Sequence, residues 1–401
     1  MNAHERLNIL AASLDRHLRE DILPYWFQTM DHVGGGFAGN VADDGTLELA
    51  APKGVVMHSR HLWASSRAWQ ERRNPLDLAA ARHAFRFLTG ALYDRTGKGF
   101  WWTVDSEGKP GIENKVLYGQ AFAIYGLSQY YRASGDSTAL SLALETFDLL
   151  EGVGRDREFG GYYEAVDRSW TAPLVQALSD VDIPCSKSMN TNLHVLEALS
   201  ALFVATGLPR VREALESLLA AFERHILVTP EHLGLYFDRD WRVLTDHVSY
   251  GHDVEASWLL TEAAGLLAAA EPDPKVSKAR KERYAAVARG SLRVIKESGG
   301  SLPNELHSGH LDTGRIWWVQ AEALVGMVNG WELTGDEAFL TAAESVWSFV
   351  DRFVVDRLQG EWFWQVDAQG RPDRNRPKGG LWKTSYHNGR ACMEVILRAR
   401  R

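Results

Sequence analysis

A short glycine-rich segment, in most cases followed by aromatic residues, recurs six times along this 401-residue chain. Successive segments start 61 to 74 residues apart, at Gly34, Gly97, Gly160, Gly234, Gly299 and Gly360. A regular period of this kind is typical of a repeat architecture, in which each repeat is one supersecondary unit that buries its apolar face against its neighbours. The spacing therefore predicts an array of similar units.

Two stretches with apolar residues at helical spacing follow each of the first five segments, and one follows the sixth. The predicted helices cover 53–72 and 75–90, 115–133 and 136–151, 190–206 and 209–227, 250–270 and 275–298, 316–333 and 336–356, and 382–400, in addition to an opening amphipathic helix over 4–22. Six helix pairs can close into a ring that has no exposed end. We therefore predict an all-α fold, an (α/α)6 barrel of six inner and six outer helices that forms a single domain over 1–401, with short strands at one mouth.

The charge pattern and the cysteine count exclude several classes of protein. The net charge of −8 is spread along the chain without blocks, which argues against a nucleic-acid partner or an anionic membrane surface. Cys185 and Cys392 are too few for a disulfide framework, so both are expected to be free thiols. The N-terminus lacks the apolar core of a signal sequence, and the longest apolar run, 259–270, is too short to span a bilayer. We expect a cytoplasmic protein that is a monomer or a homodimer.

Parallel inner helices would place their first turns around one common mouth. If the helix directly after each glycine segment is the inner one, all six inner helices run in the same direction and start at the same end of the barrel. A core built only for stability would carry leucine or alanine there, whereas these turns carry imidazole, guanidinium, carboxylate and indole groups. Indoles can stack on a sugar ring, and the chain has 15 tryptophans. The predicted site for a small sugar consists of Arg60, Tyr118, Asn190, His194, His252, Glu255, Trp318, Glu322, Trp382 and His387.

The fourth inner helix carries the clearest chemical signal. His252 and Glu255 are three residues apart, so we expect both to project from one face of the first turn. A helix N-terminus disfavours positive charge, so an imidazole held there stays neutral near pH 7, as a general base must. We expect the Glu255 carboxylate to hold this imidazole in one tautomer. Taken singly, each residue also has a simpler interpretation: His252 could cap its helix, and Arg60 could pair with a neighbouring carboxylate.

Metal and cofactor motifs are not found in the sequence. The local pairs His58/His61 and His307/His310 have a spacing that a helix or loop could use, but neither has a further ligand in zinc-site register. The chain also lacks a nucleophile elbow, a phosphate-binding glycine loop before a helix and a dinucleotide fingerprint. We expect neither a metal ion nor a cofactor.

Five segments around the candidate residues are similar to a known family. They are 59–63, 187–198, 250–258, 317–323 and 382–390, and each contains at least one candidate site residue. With these segments the chain resembles the N-acylglucosamine 2-epimerase superfamily from near residue 35 to the end of the sequence. The sequence Gly251-His252-Asp253 and the motif that runs from Tyr386 to Arg390 point to its cellobiose-epimerase branch.

The resemblance implies an (α/α)6 barrel that epimerises C2 of a reducing-end aldose without a metal. The substrates would be cellobiose-type β-1,4 disaccharides, free glucose and mannose, or both. The resemblance also implies that His252 and His387 form an acid/base pair, supported by Arg60, His194 and Glu255. Residues 182–186 and 302–305 are less polar or less aromatic than a site for a second sugar would be, so the length of the substrate stays open.

Three other functions remain open at this stage. An aldose–ketose isomerase would use the same enediolate intermediate, with a proton returned to C1 instead of C2. An inverting glycoside hydrolase would need two carboxyl groups about 6.5–9.5 Å apart; Glu255 and Glu322 could serve, but the three histidines would then have no role. A non-catalytic sugar-binding protein would use the histidines only as hydrogen-bond donors.

Overall fold

The computed structural model describes residues 1–268 and 273–401, and in it the helices form a closed double ring. In chain order the helices are α1 (Ala3–His17), α2 (Leu23–Phe27), α3 (Val55–Arg72), α4 (Pro75–Gly90), α5 (Leu117–Ser134), α6 (Ser137–Leu149), α7 (Met189–Thr206), α8 (Pro209–Ala221), α9 (Tyr250–Leu267), α10 (Pro274–Glu297), α11 (Trp317–Thr334), α12 (Glu337–Phe349) and α13 (His387–Ala399). The predicted helix over 250–270 reaches into residues 269–272, which lie outside the described part.

The inner ring consists of α3, α5, α7, α9, α11 and α13. Each of these helices packs against the next, and α13 packs against α3, which closes the ring. The outer helices α4, α6, α8, α10 and α12 each pack on the inner helix that precedes them, whereas α1 packs on α13. The first helix therefore completes the last pair. The contacts confirm the predicted (α/α)6 barrel.

Glycine and aspartate residues set the turns between inner and outer helices. Helices α5, α7 and α11 each end at a glycine with a left-handed backbone, Gly135, Gly207 and Gly335. Asp136 and Asp336 then accept a hydrogen bond from a backbone N–H of the first turn of α6 and α12. Single π-helical turns extend α1, α6, α8 and α12 over 18–22, 150–154, 222–226 and 350–354.

Short antiparallel strands connect consecutive repeats at the end where the inner helices begin, here called the N-terminal mouth. The strands are β1 (Asn40–Val41), β2 (Leu47–Glu48), β3 (Lys53–Gly54), β4 (Thr103–Val104), β5 (Lys115–Val116), β6 (Ala165–Val166), β7 (Pro173–Leu174), β8 (Lys187–Ser188), β9 (Tyr236–Phe237), β10 (Val248–Ser249), β11 (Glu305–His307), β12 (His310–Asp312), β13 (Arg315–Ile316) and β14 (Gln365–Val366). Strands β3, β5, β8, β10 and β13 each lead directly into an inner helix. Each of them pairs with a strand of the next repeat: β3 with β4, β5 with β6, β8 with β9, β10 with β11, and β13 with β14.

The glycine segments are required because inner-helix side chains bind their backbones. Gly36 has a φ of 68°, and a Cβ atom there would lie 2.2 Å from Nε2 of His58. That nitrogen accepts a hydrogen bond from the Phe37 N–H at 3.1 Å. The fourth residue of α5, α7, α9 and α11 binds the backbone of a preceding segment in the same way; these residues are Gln120, Asn192, Asp253 and Gln320.

The start of the last inner helix differs from the prediction. The sequence predicted a helix from residue 382, but α13 begins at His387. The residues before it cannot continue the helix backwards, since their carbonyl groups are used elsewhere: that of Trp382 accepts a hydrogen bond from Arg60, and that of Lys383 accepts one from the Gly380 N–H at 3.0 Å. Over the described residues, no helix combines the length and apolar character needed to cross a membrane.

Candidate active site

The predicted residues gather at the N-terminal mouth. The Trp318 ring contacts two imidazoles: its centroid lies 4.8 Å from that of His252 and 5.7 Å from that of His387. Tyr118 contacts both His194 and Trp382, at centroid distances of 4.9 and 5.7 Å. The three imidazoles, far apart in the sequence, thus lie around one space.

Arg60 is held rigidly at the wall of this site. It is 3% exposed; Nη2 donates to the Tyr118 hydroxyl at 3.0 Å, and Nη1 donates to the Trp382 carbonyl. The guanidinium lies over the Phe122 ring, 4.6 Å from its centroid. Within the described residues Nε of Arg60 has no hydrogen-bond partner. A fixed positive charge of this kind is suited to an anionic oxygen.

The expected pairing of His252 with Glu255 is wrong. Nδ1 of His252 lies 2.8 Å from the Ser249 hydroxyl, whereas Oε1 of Glu255 accepts a hydrogen bond from Arg390 at 2.5 Å. Ser249 comes directly before α9 and lies three residues before His252, so its short side chain reaches the imidazole. The longer Glu255 side chain turns towards the barrel axis, where a buried guanidinium attracts it. Burial, and then the nearby His194, lower the pKa of His252 to about 3, so this imidazole is neutral at pH 7.

His387 and His194 each have a carboxylate partner. Nδ1 of His387 lies 2.6 Å from Oε1 of Glu322, and Nδ1 of His194 lies 2.9 Å from Oε2 of Glu197. Burial lowers the pKa of both imidazoles, most strongly that of His387, where Arg60 adds to the effect. As in His252, the Nε2 atoms have no hydrogen-bond partner among the described residues. Each imidazole is therefore oriented through Nδ1 and can act through Nε2.

Arg390 joins these groups into one buried network, which the sequence reasoning missed. Its guanidinium donates to Glu197, to Glu255 at 2.5 Å and to Glu322 at 2.7 Å. The Tyr386 hydroxyl also donates to Glu197, at 2.7 Å. One signal could have found the network: a charged residue follows each mouth imidazole by three positions, as Glu197 follows His194, Glu255 follows His252 and Arg390 follows His387.

The network also bears on metal binding. Ligand atoms of Glu255, Glu322 and His387 lie within 4.8 Å of one another, the one such group found in the described part of the chain. The Arg390 guanidinium already donates to both carboxylates, so it supplies the positive charge that this group attracts. We therefore interpret the group as a carboxylate–guanidinium network and not as a set of metal ligands.

A small pocket of about 20 Å³ opens beside His252. Asn190 lines it, and the side-chain oxygen of Asn190 has no hydrogen-bond partner within the described residues. The other polar groups of its wall include Glu164, Asp182 and Ser188. All ten predicted residues thus lie at or directly beneath the N-terminal mouth.

Comparisons with known proteins identify the family of the chain. Residues 35–391 match the family model described as N-acylglucosamine 2-epimerase (GlcNAc 2-epimerase). The cellobiose 2-epimerase of Dictyoglomus turgidum is 40% identical over 98% of this chain and 99% of its own length, and the D-mannose isomerase of Thermobifida fusca is 29% identical over 80% and 78%. The solved structure of the cellobiose 2-epimerase from Spirochaeta thermophila superimposes with a TM-score of 0.93 at 47% identity, over 98% of this chain and 97% of that one. The chain therefore belongs to the N-acylglucosamine 2-epimerase family.

Proposed function

We propose that this chain is a sugar 2-epimerase that interconverts the glucose and mannose configurations at C2 of a reducing-end aldose. The substrates would be cellobiose-type β-1,4 disaccharides, free glucose and mannose, or both. The observation that carries the proposal is the pair His252 and His387, whose rings both contact Trp318 and whose Nε2 atoms are unpartnered among the described residues. Inverting a carbon centre needs two proton-transfer groups that reach it from different sides, and this pair can supply them.

The sugar ring must open before C2 can react, because the C2 proton is acidic enough to remove only beside a free carbonyl. One imidazole of the pair takes the proton of the O1 hydroxyl and passes it to the ring oxygen as the ring opens, so this imidazole is neutral again after the step. One of His252 and His387 then removes the C2 proton, and the other returns a proton to the opposite face. Such general acid–base groups typically contribute about 10²–10⁴-fold each.

The intermediate between the two proton transfers is a cis-enediolate with negative charge on O1 and O2. Arg60, permanently charged and fixed by Tyr118 and the Trp382 carbonyl, stabilises that charge. His194, whose Nδ1–H donates to Glu197, accepts a hydrogen bond from a sugar hydroxyl at Nε2. The six inner helices all direct the positive end of their dipoles at this mouth, which favours the same anion. Trp318 and Trp382 offer stacking faces to the sugar, while Tyr118, Asn190 and Glu322 complete its binding site.

Product analysis in deuterated water tests the proposal. The protein would be incubated separately with cellobiose, mannobiose, mannose and glucose, and every product identified by chromatography and NMR. We expect the C2 epimer with deuterium at C2. A product epimerised without deuterium at C2 would contradict proton exchange through these imidazoles.

Other products would select a different function on the same fold. A ketose would show that the enediolate is reprotonated at C1, as in an aldose–ketose isomerase. Release of a smaller sugar from a disaccharide would indicate a glycoside hydrolase. Binding without turnover of any of the four sugars would indicate a sugar-binding protein.

A further inference from the structure

We propose that Glu255 is an uncharged carboxyl group in the working enzyme, and that its bound proton allows a network of three carboxylates to lie behind an anionic intermediate. This inference rests on the proposed epimerase function, because the enediolate is what the network has to tolerate. Glu255 would act through its neighbours and not by touching the sugar, so it is a positioning residue.

The buried positive and negative groups of the site are unequal in number. Glu197, Glu255 and Glu322 are at most 4% exposed, and the positive groups among them are Arg60 and Arg390, at most 3% exposed. With neutral imidazoles, three carboxylates against two guanidiniums leave one negative charge in excess in a site shielded from water. Burying an unbalanced charge is costly, and a carboxyl group avoids the cost by binding a proton. One of the three carboxyl groups of the network is therefore protonated.

The hydrogen bonds indicate which carboxyl group holds that proton. Glu197 accepts from Tyr386 and Arg390 on one oxygen and contacts His194 with the other. Both oxygens of Glu322 are also used, since Trp258 donates to Oε2 at 3.0 Å, and Oε1 receives Arg390 and contacts His387. Glu255 has a single donor, Nη2 of Arg390, which it shares with Glu322. Its charged form is thus the least stabilised of the three.

The electrostatic surroundings of Glu255 agree with this assignment. Burial, and then repulsion from Glu322, raise its pKa to about 8, whereas that of Glu197 is lowered to about 2 because Arg390 and His194 outweigh its burial. The outer neighbours of α9, namely α8 and α10, lie on the side away from the barrel axis. The titratable and charged groups that face Glu255 from the inner helices are Tyr118 on α5, Glu197 on α7, Glu322 on α11, and Tyr386, His387 and Arg390 at α13.

The proton on Glu255 matters for the reaction. With Glu255 uncharged, the charges of Glu197 and Glu322 balance those of Arg60 and Arg390. Proton abstraction from C2 then creates one enediolate charge and one imidazolium, and the site stays neutral. With Glu255 ionised, an extra negative charge would lie beneath the enediolate and destabilise it. Activity should therefore fall as pH rises through the pKa of Glu255.

The pH dependence of kcat/KM in Glu255→Gln tests this role. Glutamine is permanently uncharged, so the variant cannot ionise at this position. We expect wild-type kcat/KM to fall about tenfold per pH unit above pH 8, and the ratio of Glu255→Gln to wild type to rise by the same factor. Glu255→Asp, which restores an ionisable group, should restore the fall at high pH.

Glu262→Gln is the matched control. Glu262 lies on the same helix, seven residues further along, and is an exposed carboxyl group that does not bond to the network. The ratio of Glu262→Gln to wild type should stay flat above pH 8. An alkaline fall that persists in Glu255→Gln would overturn the proposal and assign the fall to another group, such as Lys383, whose pKa burial lowers to about 8.

Infrared spectroscopy gives a measurement that needs no turnover. A protonated carboxyl group has a C=O stretch separate from that of carboxylates. At pH 7 the buried carboxyl band of wild type, to which Glu164 also contributes, should be weaker in Glu255→Gln, and the difference between the two spectra should disappear well above pH 8. An unchanged band in Glu255→Gln would contradict a protonated Glu255 even if the chain epimerises sugars, and a weaker band would support it even if the proposed substrate is wrong.

Discussion

His252 and His387 are kept neutral by burial, but they differ in the group that binds Nδ1. A serine hydroxyl contacts His252, whereas a carboxylate contacts His387. A carboxylate stabilises an imidazolium more than a hydroxyl does, whereas the positive charges of Arg60 and Arg390 oppose an imidazolium at His387. The two imidazoles are therefore chemically distinct partners around one sugar carbon.

Removal of either imidazole should nearly abolish turnover. We expect His252→Ala and His387→Ala each to lower kcat by about 10²–10⁴-fold, because each removes a proton-transfer group. Steady-state kinetics would measure the loss, and circular dichroism would show whether the helical barrel persists. Substantial activity in a folded variant would remove that residue from the acid/base pair.

Residue types at the mouth could be predicted from the sequence, but their partners could not. The position of His252 in the first turn of an inner helix follows from the repeat. Its partner Ser249, three residues before it, was overlooked because a carboxylate, Glu255, lies three residues after it. Arg390 donates to Glu197, which lies 193 residues away in the chain, and no local pattern encodes a contact across the barrel.

At the level of elements, buried lysine–aspartate pairs fix the glycine segments to the strands that precede inner helices. Lys53 on β3 binds Asp31 at 2.6 Å, and both side chains are at most 5% exposed. The same pairing recurs between Lys115 and Asp94 at 2.8 Å, Lys187 and Asp156 at 3.0 Å, and Lys378 and Asp356 at 2.7 Å. These pairs recur at the N-terminal mouth, where they hold the starts of the inner helices in place.

Breaking one of these pairs should destabilise the barrel strongly. We expect Lys53→Met to cost roughly 3–5 kcal/mol of unfolding free energy, because it leaves the Asp31 carboxylate buried without its charge partner. Lys98→Met is the control: Lys98 is 56% exposed in its pair with Glu145, and such surface pairs contribute about 0–1 kcal/mol. Urea denaturation measures both. Equal losses in the two variants would show that the buried pair has no special role.

Element boundaries were predictable where the chain carries its own stop signals. The turn after α5 was expected at Gly135 and Asp136, and the structure has it there because glycine adopts the left-handed conformation and aspartate caps the next helix. The start of α13 lacked such a signal. It depends on the bond from Arg60 to the Trp382 carbonyl, which exists only once the ring has closed.

At the scale of the whole molecule, the stability curve should have a maximum near neutral pH. Buried histidines have lowered pKa values, about 3 for His58, so below pH 6.5 the unfolded chain binds more protons than the folded one and stability rises with pH. Buried acids have the opposite effect. Burial raises the pKa of Glu164 to about 7 and that of Asp77 to about 6, so the folded state binds more protons above pH 4.5 and stability falls as pH rises through those values.

Glu164→Gln isolates the second effect. Glu164 is fully buried, and glutamine keeps its shape but cannot bind the extra proton. In wild type, Glu164 should make the free energy of unfolding fall by up to about 1.4 kcal/mol per pH unit between about pH 5 and pH 7. This contribution should be absent from Glu164→Gln, and urea denaturation at each pH measures the difference. Glu107→Gln, which changes an exposed carboxylate in a turn, should leave the slope unchanged. If Glu164→Gln kept the wild-type slope, the carboxyl group of Glu164 would have to be ionised in the folded protein, and the hydrogen bond from Thr191 at 2.7 Å would then be strong enough to hold a buried charge.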